Sequence, residues 1–353
     1  MAAPPFLAVA RGRMPLVQLA TIAACAGGGA LFALLGTPLP WMLGSLLTMA
    51  ALRLGPRVGA ATRWGRPVGQ WLVGTALGLQ FTPVVLRAVA DVGGWLLLTA
   101  ASAPLLGLAG SALLVRLTGV DRGTAWFASV PGGAMEMSVL AERAGARVDR
   151  VAVAQSLRIV MVVLTLPPLF ALLGLHGSDP WHVTRAVLAP PLLAALLPAM
   201  AVLGWIASRA GLPNAWVLAP LAGAALIAGG GWLDGRLPVA LIDVAQVLIG
   251  CALGARFDRA LLTGAPRYVA AVGATVALAL ALSALLAAAV AWQSGLGVPT
   301  LVLAGAPGGI TEMALTARTL DLGVPVVVAA HVLRIALVVT TAGLVHRWLL
   351  RPA

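Results

Sequence analysis

Apolar residues run along the chain in ten blocks of 15 to 25 positions, separated by short segments that hold most of the arginines and glycines. Continuous apolar stretches of roughly 20 residues are long enough to cross a bilayer as helices. The predicted spans are Leu16 to Leu35, Pro40 to Leu54, Pro67 to Val85, Trp95 to Val115 and Val151 to Leu175, then Val187 to Ile206, Trp216 to Gly230, Val239 to Ala255, Val269 to Trp292 and Val324 to Trp348. Trp95, Trp232, Trp292 and Trp348 stand at span ends, where amphipathic rings favour the membrane interface. The short second span of each set opens on a similar phrase, Gly36-Thr37-Pro38-Leu39-Pro40-Trp41 and Gly211-Leu212-Pro213-Asn214-Ala215-Trp216.

The two sets are copies of one another. Adding 176 carries Gln70, Gly74, Gly78 and Phe81 onto Gln246, Gly250, Gly254 and Phe257, and Leu157, Arg158 and Ile159 onto Leu333, Arg334 and Ile335. The same shift carries Pro131, Gly132, Gly133, Glu136 and Met137 onto Pro307, Gly308, Gly309, Glu312 and Met313. A single register over separated blocks marks an internal duplication, with repeat 1 over residues 1–175 and repeat 2 over 176–353. Each Pro-Gly-Gly element, around 124–145 and 300–322, either crosses the membrane as a broken helix or enters and returns as a hairpin. If both return, each repeat has five spans, and 17 arginines fall on the inner side against 4 on the outer, with Arg158 and Arg334 set aside inside the membrane. If both cross, the bias falls to 12 against 9. The positive-inside rule selects the first arrangement. The expected fold is an all-α polytopic membrane protein of about ten transmembrane helices and two re-entrant hairpins in two inverted repeats, both termini cytoplasmic.

Composition agrees with a bilayer as solvent. Of 353 residues, 61% are hydrophobic and 10% charged, and the mean hydropathy is +1.01. The net charge of +12 is carried by arginine alone. These arginines lie in short loops beside spans, and with no basic helix or aromatic stacking platform the pattern argues against nucleic acid. Cys25 and Cys251 look isolated, so neither a disulfide framework nor a thiolate metal site is expected. Arg11 and Arg13 before Ile22-Ala23-Ala24-Cys25 imitate a lipoprotein leader, but the apolar run continues to Leu35 and reads as an uncleaved first span.

The Pro-Gly-Gly elements are where chemistry is expected. Non-helical backbone at membrane depth is tolerated only where protein or a watery cavity satisfies it. Helices restarting at Ala134 and Ile310 would present free amides and a positive dipole end at Gly132, Gly133, Gly308 and Gly309, a site for a small anion. Glu136 and Glu312 fall in the first turns, where they either cap the helix or carry a proton or sodium ion. Arg158 and Arg334 sit about ten residues into their spans, where a central arginine costs about 2.5–3.5 kcal/mol. Each needs a partner, either a glutamate, exposed hairpin carbonyls or an anionic substrate. Gln155 and His331 lie three residues earlier on the same helix face. Gly74 with Gly78, and Gly250 with Gly254, read as small-residue pairs for close helix packing.

The duplicated core, Val130-Pro131-Gly132-Gly133 to Met137 and Ala306-Pro307-Gly308-Gly309 to Met313, each followed by a Leu-Arg-Ile span, resembles the AbrB family of bacterial membrane proteins. The resemblance implies a multi-pass protein of the bacterial inner membrane, and its layout is similar to the cation:proton antiporter and anion transporter superfamily. Members carry labels such as ammonia monooxygenase and transcriptional regulator. His176, His182, His331 and His346 form no ligand cluster for a monooxygenase metal, and no cofactor, metal or enzyme activity is expected. The expectation is a secondary transporter of a small anionic solute coupled to H+ or Na+, with a non-transporting membrane sensor or regulator as the alternative. The lipid bilayer is the expected surrounding partner, with room for a homodimer.

Overall fold

The computed structural model describes residues 14–55, 60, 62–177, 185–257 and 265–350. Arg11, Arg13, Arg57, Arg259 and Arg351 of the charge count, and His182, lie outside the described residues. Helices in chain order are α1 Met14–Leu34, α2 Pro40–Leu54, α3 Gly65–Gly78, α4 Pro83–Asp91, α5 Gly93–Thr118, α6 Arg122–Ser129, α7 Ala134–Arg143, α8 Val148–Leu172, α9 Pro190–Arg209, α10 Ala215–Gly229 and α11 Val239–Gly254. The last four are α12 Pro266–Ser294, α13 Val298–Gly305, α14 Ile310–Thr319 and α15 Val324–Val345, with a π-turn over His346–Leu350. Among the described residues there is no β-strand, only an isolated bridge between Val187 and Arg236. The protein is an all-α polytopic membrane protein. Among the described residues, the helices long and apolar enough to span a membrane are Leu16–Leu34, Gly93–Thr118, Val148–Leu172, Pro190–Arg209, Pro266–Ser294 and Val324–Trp348.

The third predicted span, Pro67 to Val85, is not one helix. The chain bends by 87° between α3 and α4, because Pro83 cannot donate to the preceding turn and Thr82 caps the new helix, its side chain accepting from Val85 N. Continuous hydropathy hides this corner, since Leu79 and Phe81 are as apolar as the helices they join. The helices α2, α3, α10 and α11 have 14 to 16 residues, about 21–24 Å at 1.5 Å per residue, which is short of a hydrocarbon core of roughly 30 Å.

These four short helices lock the repeats together. A Cβ on Gly74 or Gly78 would strike backbone of α10 at Val217 or Leu221, and one on Gly250 or Gly254 would strike backbone of α2 at Met42 or Leu46. Each glycine pair therefore packs against the short helix of the opposite repeat, and bare backbone meets bare backbone. The entries to α2 and α10 are also matched, at Leu39 (φ 50°) and Asn214 (φ 47°). Asparagine tolerates this left-handed geometry, and leucine is strained by about 1–2 kcal/mol.

The repeats are therefore interleaved rather than side by side. Helices α1, α2, α3, α9, α10 and α11 form one bundle, and α5, α8, α12 and α15 form another around the two Pro-Gly-Gly elements, with sparse contact between the bundles. The cysteines also require a correction. Cys25 of α1 and Cys251 of α11 share one small buried cluster with Met49 and Val247 as free thiols. Residues 226 apart in sequence meet because α1 and α11 are neighbours, which no local spacing could reveal.

Both Pro-Gly-Gly elements return to the side they entered. Arg147 N, just after α7, donates to Thr124 Oγ1 in the first turn of α6 at 2.9 Å. Gly323 N, just after α14, donates to Thr300 Oγ1 in the first turn of α13 at 3.2 Å. The arms have 8 and 10 residues, about 12–15 Å, or half the bilayer core. Thr124 and Thr300 are 176 apart, as are Arg147 and Gly323, so the same clasp closes both hairpins.

Two outcomes follow from this geometry. With Cys25 and Cys251 replaced by serine, Glu142→Cys should react with a membrane-impermeant maleimide only from one side of the membrane and Thr319→Cys only from the other. Labelling of both from one face would end the inverted arrangement. Gly250→Ala should destabilise the purified protein by on the order of 1–3 kcal/mol through overpacking, read as a lower thermal midpoint. Gly27→Ala, where a Cβ meets nothing within 4 Å, should leave the midpoint nearly unchanged.

Candidate functional site

At each hairpin tip the sequence stops a helix after eight residues, and the last carbonyls of that helix lose their intrahelical donors. In a membrane interior water cannot replace them at low cost. Side chains from the following long helix do so instead. Arg158 Nη1 donates to Val130 O at 3.0 Å and Nη2 to Gly132 O at 2.9 Å. Gln155 Nε2 donates to Phe127 O at 2.7 Å and to Val130 O at 2.9 Å.

The second hairpin repeats this set except for the bond from Gln155 to Val130 O. Arg334 Nη1 donates to Ala306 O and Nη2 to Gly308 O at 2.6 Å. His331 Nε2 lies 2.9 Å from Leu303 O, so the carbonyl selects the tautomer with hydrogen on Nε2. Every partner is displaced by 176, and His331 takes the place of Gln155. Both arginines, Gln155 and His331 are at most 4% exposed. Two bonds from a charged donor return about 1.5–3 kcal/mol each, comparable to the cost of placing an arginine at this depth. Of the three partners open to these arginines, the hairpin carbonyls hold both terminal nitrogens, while Arg158 Nε and Arg334 Nε have no hydrogen-bond partner among the described residues.

The spacing of the motif has a steric cause. A Cβ on Gly133 or Gly309 would collide with the carboxylate of Glu136 or Glu312, and one on Gly132 or Gly308 would lie 2.8 Å from Cγ of Met137 or Met313. The paired glycines make room for the glutamate and methionine of their own helix, whose side chains fold back over the tip. Glu136 is half-buried and its Oε1 accepts from Asn214 N at 3.2 Å, which ties the first hairpin to the left-handed cap of α10. Glu312 is buried, 5% exposed. Among the described residues neither glutamate pairs with Arg158 or Arg334. Helix α14 of the second hairpin touches α8, which carries Arg158. Each hairpin thus gathers one buried arginine, one helix start and one carboxylate.

Residues 41–350 match the family described as "Transition state regulatory protein AbrB". The chain belongs to the AbrB family. It is 30% identical over 363 aligned positions to "Uncharacterized protein YhjN" of Bacillus subtilis (strain 168), covering 92% of this chain and 91% of that protein. It is 27% identical over 321 positions to "Putative regulator AbrB" of Escherichia coli (strain K12), covering 88% of each.

Several parts of this AbrB-family site escape sequence reading. Thr124 and Thr300 obey the 176-residue shift but look like ordinary helix-start threonines. The pairing of Asn214 with Glu136 leaves no mark in the residue pattern, because Asn214 contributes its backbone N–H and not its side chain. Ser129 and Ser283 each bury a hydroxyl without a protein partner beside a glycine of the facing element, Gly110 and Gly305 respectively. The shift maps Ser129 onto Gly305 and Gly107 onto Ser283, so the hydroxyl has changed sides between the repeats.

If the arginines hold the tips, their loss should be felt without any ligand. Arg158→Lys, a point charge that cannot fork across two carbonyls, should lower ligand-free stability by about 1–3 kcal/mol. His331→Gln should cost less than about 1.5 kcal/mol, since Gln155 does the same work in the first repeat, whereas His331→Leu should cost more. Ligand-free melting curves unchanged by Arg158→Lys would contradict this role.

Proposed function

We propose that the protein is a secondary transporter of the bacterial inner membrane that carries a small anionic solute by alternating access, coupled to a proton or sodium ion. The observation that carries this reading is the bond from Asn214 N to Glu136 Oε1, which places a half-buried carboxylate of the hairpin bundle on the seam with the other bundle. Protonation or cation binding at Glu136 would weaken its acceptance of that N–H and loosen the seam, so ion occupancy and bundle position would be linked. Sparse contact between the bundles supports relative movement, and inverted repeats supply two related conformations in which the seam opens to one side or the other.

In this reading the solute sits at the hairpin tips near Gly132, Gly133, Gly308 and Gly309. It meets the amides that start α7 and α14 and the unpartnered Nε edges of Arg158 and Arg334. The arginines hold the tips and face the solute with the same planar group. Glu312, more deeply buried than Glu136, is the second candidate for ion coupling. No enzymatic step is part of this reading.

A second reading is favoured by the description of the family and the printed name of the Escherichia coli relative, both of which say regulator. A ligand bound at the same tips would then shift the bundles to signal rather than to carry. Reconstituted proteoliposomes separate the two. Gradient-driven uptake from a panel of small organic anions should be seen with the natural chain and should lose its ion dependence in Glu136→Gln, with at least about a tenfold fall in rate. Ligand binding without flux would select the regulator, and flux with unchanged ion dependence in both Glu136→Gln and Glu312→Gln would remove the coupling role.

A further inference from the structure

Helix α8 has two functional faces. Gln155 and Arg158 point to the first hairpin. On another face, Ala152, Val153, Ser156, Leu157 and Val160 line a cleft of about 240 Å³ whose far wall is Arg256 and Phe257, just past the end of α11. Arg256 Nη1 donates to Ser156 Oγ at 3.1 Å across this cleft, and among the described residues no carboxylate lies in ion-pair range of Arg256. The cleft is therefore apolar on its α8 side, with one cation and one hydroxyl together at one end.

The internal repeat supplies a control. The 176-residue shift maps Leu157 onto Leu333 and Phe257 onto Phe81, which keeps the apolar wall, but it maps Ser156 onto Val332 and Arg256 onto Gln80. Both polar members are present in one copy and missing from the other. On that other side Arg185 instead bonds to Leu79 O and Gln80 O, so the helix end is closed by a different arginine. A charge kept only as a loop anchor would have no need of a matched hydroxyl on the facing helix.

We propose that this cleft binds an amphiphilic monoanion, its acidic head on the Arg256 guanidinium and Ser156 hydroxyl and its apolar body along Val153, Leu157, Val160 and Phe257. The short apolar wall suits a small carboxylate such as hexanoate or benzoate. An anionic phospholipid entering from the side would present the same chemistry, an acidic group followed by hydrocarbon. The site lies on the seam between the bundles, so an occupant would bear on their movement. Binding is measured without flux, so this inference and the transport reading fail separately.

The test uses the full chain in phosphatidylcholine nanodiscs, with hexanoate and benzoate as probes and hexanol and hexylamine as controls, read by calorimetry. The carboxylates should bind, and the controls should not. Arg256→Gln, which installs the residue of the other repeat, should weaken carboxylate binding by about tenfold or more, with Arg256→Lys closer to the natural chain. Leu157→Trp, which fills the cleft and keeps the charge, should abolish binding and covers the case in which Arg256→Gln fails to fold. A parallel arm with phosphatidylglycerol added, read by native mass spectrometry, identifies the source. Lipid retained by the natural chain and lost in Arg256→Gln, without carboxylate binding, assigns the site to a lipid headgroup. Equal behaviour of the natural chain, Arg256→Gln and Leu157→Trp toward both carboxylates and the lipid, or binding of hexanol and hexylamine as tight as hexanoate, would overturn the proposal.

Discussion

A broken backbone inside a membrane has to find hydrogen-bond donors, and in this protein two arginines supply them. The planar guanidinium reaches two carbonyls that no longer face a helical N–H, one on either side of the proline. Remove that fork and Gly132 O in the first tip, or Ala306 O and Gly308 O in the second, loses its side-chain donor in an apolar interior, each costing about 1–3 kcal/mol. The helix restart, the position of the glutamate and the approach of the two tips all depend on the tip staying open in one geometry. Charge at this depth is therefore a structural necessity before it is a functional device, and any solute bound there meets an arginine already committed to the backbone.

The arrangement also explains why the motif is longer than Pro-Gly-Gly. Proline ends the first arm, the two glycines admit the methionine and glutamate side chains that fold back, and threonine at the foot of each arm clasps the returning chain. Each residue answers a separate steric or hydrogen-bonding demand. The two copies meet these demands largely with the same side chains, and where the residue differs, as with His331 in the place of Gln155, a bond to the matching carbonyl is kept.

Much of this was legible in the sequence because it is repeated. The shift of 176 singled out Arg158, Arg334, Glu136 and Glu312 without any structure, and charge asymmetry chose hairpins over crossings, in agreement with the Thr124 and Thr300 clasps. What could not be read was whatever depends on contact across the repeats. Continuous hydropathy conceals the corner before Pro83, since a bend leaves composition unchanged. The meeting of Cys25 with Cys251 follows from helix neighbours, and the partner of Glu136 is a backbone amide, which has no letter in the alphabet. Arginine inside a span signals that a partner exists, and the choice of carbonyl over carboxylate is settled only by distance.

The crossed glycine contacts bear on how the chain is made. Gly74 and Gly78 leave the ribosome about 140 residues before Val217 and Leu221, the backbone they press against. Until then α3 is a short helix with an empty groove and no mate within its own repeat. The packing of α3 cannot be completed ahead of the second repeat, and an unfinished half must wait in the bilayer until α10 is made.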